Sequence, residues 1–223
     1  MKRKTNSPLI TLLIKQESIL LACAEFEPRA QIPTCRLLKE PIFTHTFLNG
    51  RIFNFEHALT SIATYLNMIQ YRNVPVGIIF DTPLAIESFT TSGTIDLTGN
   101  PLSSFHTRTV ALQGISDDMQ VTYTAHVRCD LVLHYELLCN ALELPIVFIS
   151  TPFQAYREVY RRLYGSAFRQ SRLVDDILRL GTDLYANIDR SLITQLIKQS
   201  PSEINSRESA LCAGSFYCMK DLI

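Results

Sequence analysis

Apolar residues near the start of the chain fall into short runs that predict a β-hairpin. Residues 9–14 and 18–26 are apolar and partly β-branched, and the polar tripeptide Lys15-Gln16-Glu17 separates them. Two such runs joined by a short polar turn are typical of paired antiparallel strands. A weaker third strand is predicted over 33–43, which has a proline near each end.

The hydrophobic period then changes, which predicts a helix followed by a buried strand. Apolar residues recur every three or four positions over 55–70, and Asn54 precedes them as a candidate N-cap. The continuous apolar run from Val74 to Phe80 is typical of a strand that is buried on both faces. The first 80 residues therefore predict the order β-β-β-α-β.

The next segment, 81–125, is rich in Thr and Ser and alternates in polarity over 107–112 and 120–127. This pattern predicts an insertion of short antiparallel strands. The remaining chain is predicted to be mainly helical, because long amphipathic stretches dominate it. Its predicted elements are a helix over 131–142 capped by Asp130, a strand over 145–150, a helix from Pro152 to about Tyr164, helices over 173–199 broken near Gly181, a polar linker over 201–207, and a last helix over 208–222.

The composition is that of a folded globular protein and disfavours two classes of function. Of 223 residues, 47% are apolar and 19% charged, and 21 basic side chains balance 21 acidic ones. A net charge of zero gives no long-range attraction to nucleic acid or to anionic lipid. Only 8 residues are Gly, whereas loops that cradle phosphate need Gly where the backbone approaches the ligand. Nucleotide chemistry that depends on such loops is therefore disfavoured.

Cysteine usage and the N-terminal segment predict a cytoplasmic protein. The six Cys residues form no C-x-x-C pair, and a chain of this size needs no disulfides, so free buried thiols are expected. Leu9–Ile14 and Leu20–Cys23 resemble a signal sequence and a lipobox, but Lys15–Glu17 interrupt the apolar stretch that export requires. Lipidation at Cys23 is the alternative. No run approaches the ~18 apolar residues of a membrane helix.

Candidate metal-binding and catalytic residues give weak signals. His126, Cys129, His134 and Cys139 do not have the spacing of a standard zinc site, so core thiols and surface histidines are expected. Walker-type, G-x-G-x-x-G and G-x-S-x-G motifs are absent from the sequence. Two pairs of adjacent acids occur: Asp117-Asp118, predicted as a turn, and Asp175-Asp176, predicted as a solvated helix face. Because the side chains of adjacent residues point apart, neither pair forms an acid/base dyad by itself.

One local basic cluster consists of Arg157, Arg161, Arg162, Arg169 and Arg172. Arg157 and Arg161 are four residues apart and therefore share a helix face. Two interpretations stay open. The cluster is either a contact surface for an anionic partner or a solvated helix face that is partly ion-paired with the acid at position 158.

One stretch of the chain, Leu131–Leu163, resembles a segment of the PilM-type proteins of type IV pilus assembly. It reads LVLHYELLCNALELPIVFISTPFQAYREVYRRL, which is a helix, a short turn, a strand ending in a polar residue, and a second helix. Gly50-Arg51-Ile52 resembles the family's G-x-I lead-in to its first long helix, and Ala210–Ser215 resembles the helix that closes its second lobe. The small and apolar positions of the family are matched by Phe153, Ala155 and Val159.

The resemblance implies an α/β fold: an actin-like (ribonuclease-H-like) lobe with an inserted small subdomain, followed by a mostly helical C-terminal part. In this division, residues 1–80 and 126–165 form the lobe. Residues 81–125 form the inserted β-rich subdomain, and residues 166–223 form the helical region.

The sequence departs from the family where a nucleotide would bind. Actin-like ATPases have an Asp- and Gly-rich phosphate turn between their first two strands, but Leu13–Ser18 has neither residue. Glu17 would instead place a like charge near a phosphate. The second Gly-rich turn, expected after the helix over 153–164, also has no counterpart, and neither has most of the second lobe. ATP binding is therefore not expected, and no other cofactor is predicted.

The resemblance implies a non-enzymatic cytoplasmic scaffold at the inner face of the membrane. Its expected partner is an inner-membrane component of a type IV pilus or type II secretion machine, with no role for nucleic acid. In the family, a groove beside the inserted subdomain receives a short N-terminal peptide of a membrane partner. Two alternatives remain: a divergent actin-superfamily ATPase or kinase that uses Asp81 as a metal carboxylate, and a generic α/β protein-interaction domain.

Overall fold

The computed structural model describes residues 8–26, 32–40, 47–68, 71–91, 104–113, 120–165, 168–187, 190–198 and 206–223. Within these ranges the strands are β1 (Pro8–Ile14), β2 (Ile19–Glu25), β3 (Thr34–Glu40), β4 (Phe47–Leu48), β5 (Arg51–Ile52), β6 (Val76–Phe80), β7 (Ala85–Thr90), β8 (Phe105–Gln113), β9 (Gln120–Arg128) and β10 (Ile146–Ser150). The helices are α1 (Phe55–Met68), α2 (Cys129–Ala141), α3 (Pro152–Tyr164), α4 (Phe168–Leu180), α5 (Arg190–Ile193) and α6 (Ser206–Leu222), with a 3₁₀ helix over Gly181–Asn187.

A mixed five-stranded sheet, in the order β10-β6-β1-β2-β3, forms the centre of the molecule. β1 and β2 pair as the predicted antiparallel hairpin, with Ile14 opposite Ile19, and β2 pairs antiparallel with β3. β6 lies parallel to β1, and β10 lies parallel to β6. Parallel neighbours need long crossover connections, and the segments that contain α1 and α2 provide them. The predicted order β-β-β-α-β is confirmed for the central sheet and α1, whereas the two-residue strands β4 and β5 before α1 were not predicted.

Both faces of this sheet are covered, which explains the continuous apolar runs in its strands. Leu9 and Leu13 face the core shared with α3, α4 and α6, whereas Ile10, Leu12 and Ile14 face the core shared with α1 and α2. This alternation follows from the two-residue period of a strand. The result is an α/β/α arrangement of three layers.

Helix α6 approaches the sheet closely because small residues line the contact. Thr11 Oγ1 donates a hydrogen bond to Ser215 Oγ at 2.9 Å. A Cβ at Gly77 would lie 2.8 Å from the same Ser215 oxygen and 2.9 Å from Met219 Sδ, so any side chain at that point of β6 would force these neighbours to shift. In this chain α6 packs on α3, β1 and β6, so the residues that resemble the closing helix of the family's second lobe lie against the first lobe here.

The inserted segment forms a separate antiparallel sheet in the order β7-β9-β8, as its alternating pattern predicts. β9 crosses the predicted boundary between residues 125 and 126 and ends directly at the start of α2. The insert is therefore joined to the main body by a strand that leads into a helix without an intervening loop.

Two predicted details near helix ends are wrong, and one is confirmed. Asn54 caps α1, since its Oδ1 accepts a hydrogen bond from the backbone nitrogen of His57 at 3.0 Å. Asp130 does not cap α2, because the helix begins one residue before it and Arg128 occupies the N-cap position. Helix α6 begins inside the predicted polar linker, where ion pairs with the sheet hold its first turn.

Candidate functional site

The carboxyl ends of the parallel strands β1, β6 and β10 meet at one edge of the central sheet. Open α/β sheets bind ligands outside the carboxyl ends of their strands. Lys15, Asp81 and Thr151 directly follow these three strands. A cavity of about 430 Å³, here called the strand-end cleft, opens there; its lining includes Lys15, Gln16, Asp81, Thr82, Glu87, Pro152 and Arg207.

The first turn of α6 reaches into the strand-end cleft with two ion pairs, here called the α6 clasp. Arg207 Nη2 donates to Asp81 Oδ1 at 2.7 Å, and Lys15 Nζ donates to Glu208 Oε1. The side chain of Asp81 is 15% exposed and that of Glu208 is 3% exposed. The guanidinium of Arg207 also lies 5.5 Å from the centre of the Tyr185 ring. Both cations of the cleft are therefore engaged by carboxylates of the same chain.

The residues of this cleft do not fit the magnesium nucleotide that an actin-like fold implies. The turn after β1 closes on itself, with Lys15 N donating to Ser18 O at 2.9 Å, and it has no Gly to let a phosphate approach the backbone. Burial raises the pKa of Asp81, although the neighbouring Arg207 acts in the opposite direction. The candidate metal carboxylate is thus held by a guanidinium.

Substitution of Arg207 by Gln tests the energetic role of the clasp. We expect the free energy of unfolding to fall by about 1–2 kcal/mol at pH 7, less than for a fully buried pair because the Arg207 side chain is 38% exposed. Arg207 favours only the ionised form of Asp81, so the loss should be present above the pKa of Asp81 and should shrink as the pH falls through it. Urea unfolding at pH 7 and at about pH 4 measures both values. Adding Asp81→Asn should restore part of the loss at pH 7, and an equal loss at both pH values would contradict the assigned pairing.

Glu87 on β7 connects the insert to the main body. Its Oε1 accepts hydrogen bonds from the Tyr123 hydroxyl and from the backbone nitrogen of Phe153, both at 2.9 Å. Its Oε2 accepts one from the Tyr185 hydroxyl at 2.6 Å. The Tyr123 hydroxyl also contacts Thr151 Oγ1. A carboxylate at the first turn of α3 additionally matches the positive end of the helix dipole.

A second cavity, of about 280 Å³, lies between the insert and the main body and is here called the insert groove. Strands β8 and β9 form one side, α2 forms another, and the end of β10 with the start of α3 completes it. Its buried surface is mainly apolar, with charged side chains from β8 and α2 around it. The lining residues are His106, Thr107, Arg108, Tyr123, Ala125, Val127, Val132, Glu136, Ile149, Ser150, Thr151 and Gln154.

The arginines of the predicted basic cluster are divided between different contacts. Arg161 and Arg162 both pair with Glu158 on α3 and with Asp221 at the end of α6. Arg172 on α4 lies 4.3 Å from the centre of the Tyr164 ring. Arg157 lines a cleft of about 280 Å³ between α3 and α4. The side chain of Arg169 lies outside the described residues, and a role of the cluster in partner binding stays a prediction.

The other candidate residues have ordinary structural contacts. The expected surface position of His126 is wrong: it is buried on β9, with its Nδ1 2.8 Å from Thr107 Oγ1. Burial raises the pKa of Cys139 to about 12. The predicted solvated face is wrong for Asp176, whose side chain is 17% exposed and accepts hydrogen bonds from the Tyr160 hydroxyl and from Arg179. The pair Asp117-Asp118 lies outside the described residues.

Sequence patterns identified Asp81 as a candidate but missed most of the other residues that build the two cavities. Arg207 was predicted to be in a linker, and Glu87 and Gln154 carry no motif. The one sequence feature that could have located the strand-end cleft was the position of Lys15, Asp81 and Thr151 directly after predicted strands. The partners of these side chains come from distant parts of the chain, so no local spacing brings them together.

Comparison with known proteins assigns the fold class. No family model and no curated protein matches the sequence. The chain is similar to a chain in the structure of the PilM-PilN type IV pilus biogenesis complex, with a TM-score of 0.53 and 14% sequence identity. The similarity covers 75% of this chain and 52% of the other, so the chain spans about half the length of that relative.

The fold is thus an α/β fold of the actin-like class, as the order of elements predicts. More particularly, it is PilM-like, which confirms the resemblance seen over Leu131–Leu163. A weaker similarity, with a TM-score of 0.41 and 11% identity, is to the cytoplasmic domain of EpsL, an inner-membrane component of the type II secretion system of Vibrio cholerae. It covers 67% of this chain and 57% of that domain. Among the described residues, no helix has both the length and the apolar character needed to cross a bilayer.

Proposed function

We propose that this protein is a non-enzymatic cytoplasmic scaffold that takes part in the assembly of a type IV pilus or a type II secretion machine. In this proposal it works at the inner face of the membrane and binds a segment of an inner-membrane partner in the insert groove. The observation that carries the proposal is the groove itself, which lies beside the inserted subdomain of a PilM-like fold. The similar structure is that of a PilM-PilN complex, which supports a protein ligand for this fold.

The strand-end cleft supports the non-enzymatic part of the proposal. Three carboxylates, on Asp81, Glu87 and Glu208, lie in or beside it against two cations, Lys15 and Arg207. This balance opposes the binding of a triphosphate, because like charges in a partly buried site repel strongly. Calorimetric titration with magnesium ATP is expected to show no binding, and micromolar affinity would contradict this part of the proposal.

Substitution of Glu136 by Trp tests the groove as the partner site. Glu136 lies on α2 and lines the insert groove, so an indole at that position should occupy the space that a ligand needs. We expect the variant to lose at least ~10-fold in affinity, about 1.4 kcal/mol, for the cytoplasmic segments of inner-membrane pilus or secretion proteins. Binding is measured by pull-down from membranes followed by titration with the captured protein's cytoplasmic segment.

Leu137→Trp is the matched control for this experiment. Leu137 is the next residue of α2 and is 50% exposed, and it does not belong to the groove lining. The same indole is therefore added to the same helix outside the cavity. Equal loss of binding in both variants would contradict the groove as the partner site, and capture of no inner-membrane assembly protein would contradict the proposed function itself.

A further inference from the structure

The cleft of about 280 Å³ between α3 and α4, here called the α3–α4 cleft, is lined by hydrogen-bond donors from two helices. Its lining includes Gln154, Arg157, Glu158 and Arg161 of α3, Gln170 of α4 and Cys218 of α6. The four α3 residues share one helix face, because they are spaced three or four positions apart. The cleft therefore presents two guanidinium groups and two side-chain amides to one space.

The arginines of α3 outnumber the carboxylates around this cleft. Arg161 and Arg162 both pair with Glu158 and with Asp221, so these four side chains have a net charge of zero. Both guanidinium groups bind the same oxygen of Glu158, Oε1, which offsets the repulsion that this carboxylate would exert on an anion. Arg157 adds one positive charge to the network.

The insert brings a further cation to the α3–α4 cleft. Burial is the main cause that raises the pKa of the Cys218 thiol to about 12, and Glu158 and Asp221 act in the same direction. Arg161 and Arg108 act in the opposite direction. Arg108 of β8 therefore lies close enough to the cleft for its charge to act there, and the electrostatic balance at this place favours an anion.

Gln154 has an unused donor beside these cations. Its Nε2 is buried and has no hydrogen-bond partner among the described residues. A buried amide donor without an acceptor is costly, and such groups in native structures call for an explanation. Gln154 lines the insert groove as well as the α3–α4 cleft, so its amide alone does not select the cleft. Arg157 and Gln170 line the cleft and not the groove, and they provide the test.

We propose that the α3–α4 cleft binds a phosphate group, carried either by a soluble molecule or by a lipid head group. Guanidinium groups match the oxygens of phosphate and form charge-assisted hydrogen bonds with them. The donors of the cleft come from two helices, and a phosphate group has three acceptor oxygens that point in different directions. This inference goes beyond the proposed function and does not depend on it, because the partner segment occupies a different cavity.

Calorimetric titration of the full chain with inorganic phosphate at constant ionic strength tests the site. We expect saturable binding of one phosphate per chain and a loss of at least ~10-fold in affinity for Arg157→Gln, the size of a hydrogen bond to a charged group. Arg172→Gln is the matched control, because it removes the same charge from α4, where Arg172 packs on Tyr164 outside the cleft lining. Its affinity should change less than twofold.

Two further variants separate the α3–α4 cleft from the insert groove. Gln170→Met removes one amide from the cleft, and we expect a loss of about 3–10-fold in phosphate affinity, the size of one net hydrogen bond. Glu136→Trp fills the insert groove and should change phosphate affinity less than twofold. A failure of phosphate binding is therefore distinguishable from a failure of partner binding.

Vesicle sedimentation distinguishes the two sources of phosphate. Phosphatidic acid exposes a phosphate monoester, and phosphatidylglycerol vesicles of equal surface charge serve as the reference. Capture by phosphatidic acid alone that Arg157→Gln loses and Arg172→Gln retains would assign a lipid head group, whereas binding of inorganic phosphate without such capture would assign a soluble ligand. The inference fails if neither probe binds, if acetate binds as tightly as phosphate, or if the two arginine variants lose affinity equally.

Discussion

Gly214→Ala is expected to lower the free energy of unfolding by about 3 kcal/mol, which makes it among the most damaging single-methyl additions in this chain. A Cβ at position 214 would lie 1.9 Å from the carbonyl oxygen of Ala155 on α3. The obstacle is backbone, so it cannot move away as a flexible side chain would. Overpacking of this kind typically costs 1–3 kcal/mol and sometimes more. A loss of stability would itself indicate the clash, because Ala is favoured over Gly by about 1 kcal/mol inside an unhindered helix. Without the clash, the substitution should stabilise the protein.

Chemical denaturation of the purified variant measures this loss. Leu222→Ala is the control, because Leu222 lies at the end of the same helix and is 63% exposed. Its effect should stay within about 0.5 kcal/mol, as for most surface substitutions. An unchanged or higher stability of Gly214→Ala would mean that α3 and α6 do not cross where the structure places them.

The crossing of α3 and α6 also determines what the strand-end cleft contains. Close packing at Gly214 fixes α6 against α3, and α6 begins at Ser206, beside the carboxyl ends of β1 and β6. Arg207 and Glu208 are thereby held next to Asp81 and Lys15. Separation of the two helices in Gly214→Ala should therefore weaken the clasp as well as the core.

Much of the fold could be predicted from the sequence because its signals are local. The β1–β2 hairpin, α1, β6 and α3 each carry their own hydrophobic period, and Pro152 marks a helix start. The start of α4 was predicted five residues too late because Arg169, Gln170 and Arg172 obscure the apolar pattern of its first turns. The small residues of the C-terminal helix indicate close packing but do not show which surface the helix packs on.

The candidate sites could be predicted much less well, because their residues come from distant parts of the chain. Residues from β8, α2 and the end of β10 meet in the insert groove, although about 40 positions separate His106 from Ser150 along the chain. Charged residues such as Arg207 look the same in a sequence whether they are solvated or paired. Asp81 could be located at a strand end, but its partner could not be found, since that pairing depends on how α6 returns to the sheet.

Glu87→Leu is the second substitution with a large expected effect, about 3 kcal/mol of stability. It removes the shared acceptor of the Tyr123 hydroxyl, the Tyr185 hydroxyl and the Phe153 backbone nitrogen. Hydrogen bonds to a charged group contribute about 1.5–3 kcal/mol each, and donors left without an acceptor add their desolvation cost. The sum is reduced because Tyr123 keeps its contact with Thr151.

Glu87→Gln separates the effect of the negative charge from the effect of the hydrogen-bond acceptors, because it removes the charge but keeps the shape and one acceptor oxygen. Gln retains one oxygen for Tyr123 and Phe153, and the Tyr185 hydroxyl can turn to accept from the new amide, so we expect a loss of only about 1 kcal/mol. Ile86→Thr, at a neighbouring position that is 40% exposed, should have little effect. Urea unfolding of the three variants gives the comparison. Similar losses for Leu and Gln would show that the charge of Glu87, rather than its geometry as an acceptor, joins the insert to the main body.

Because Tyr123 and Thr151 also line the insert groove, the Leu variant should in addition bind the partner's cytoplasmic segment more weakly than the Gln variant does.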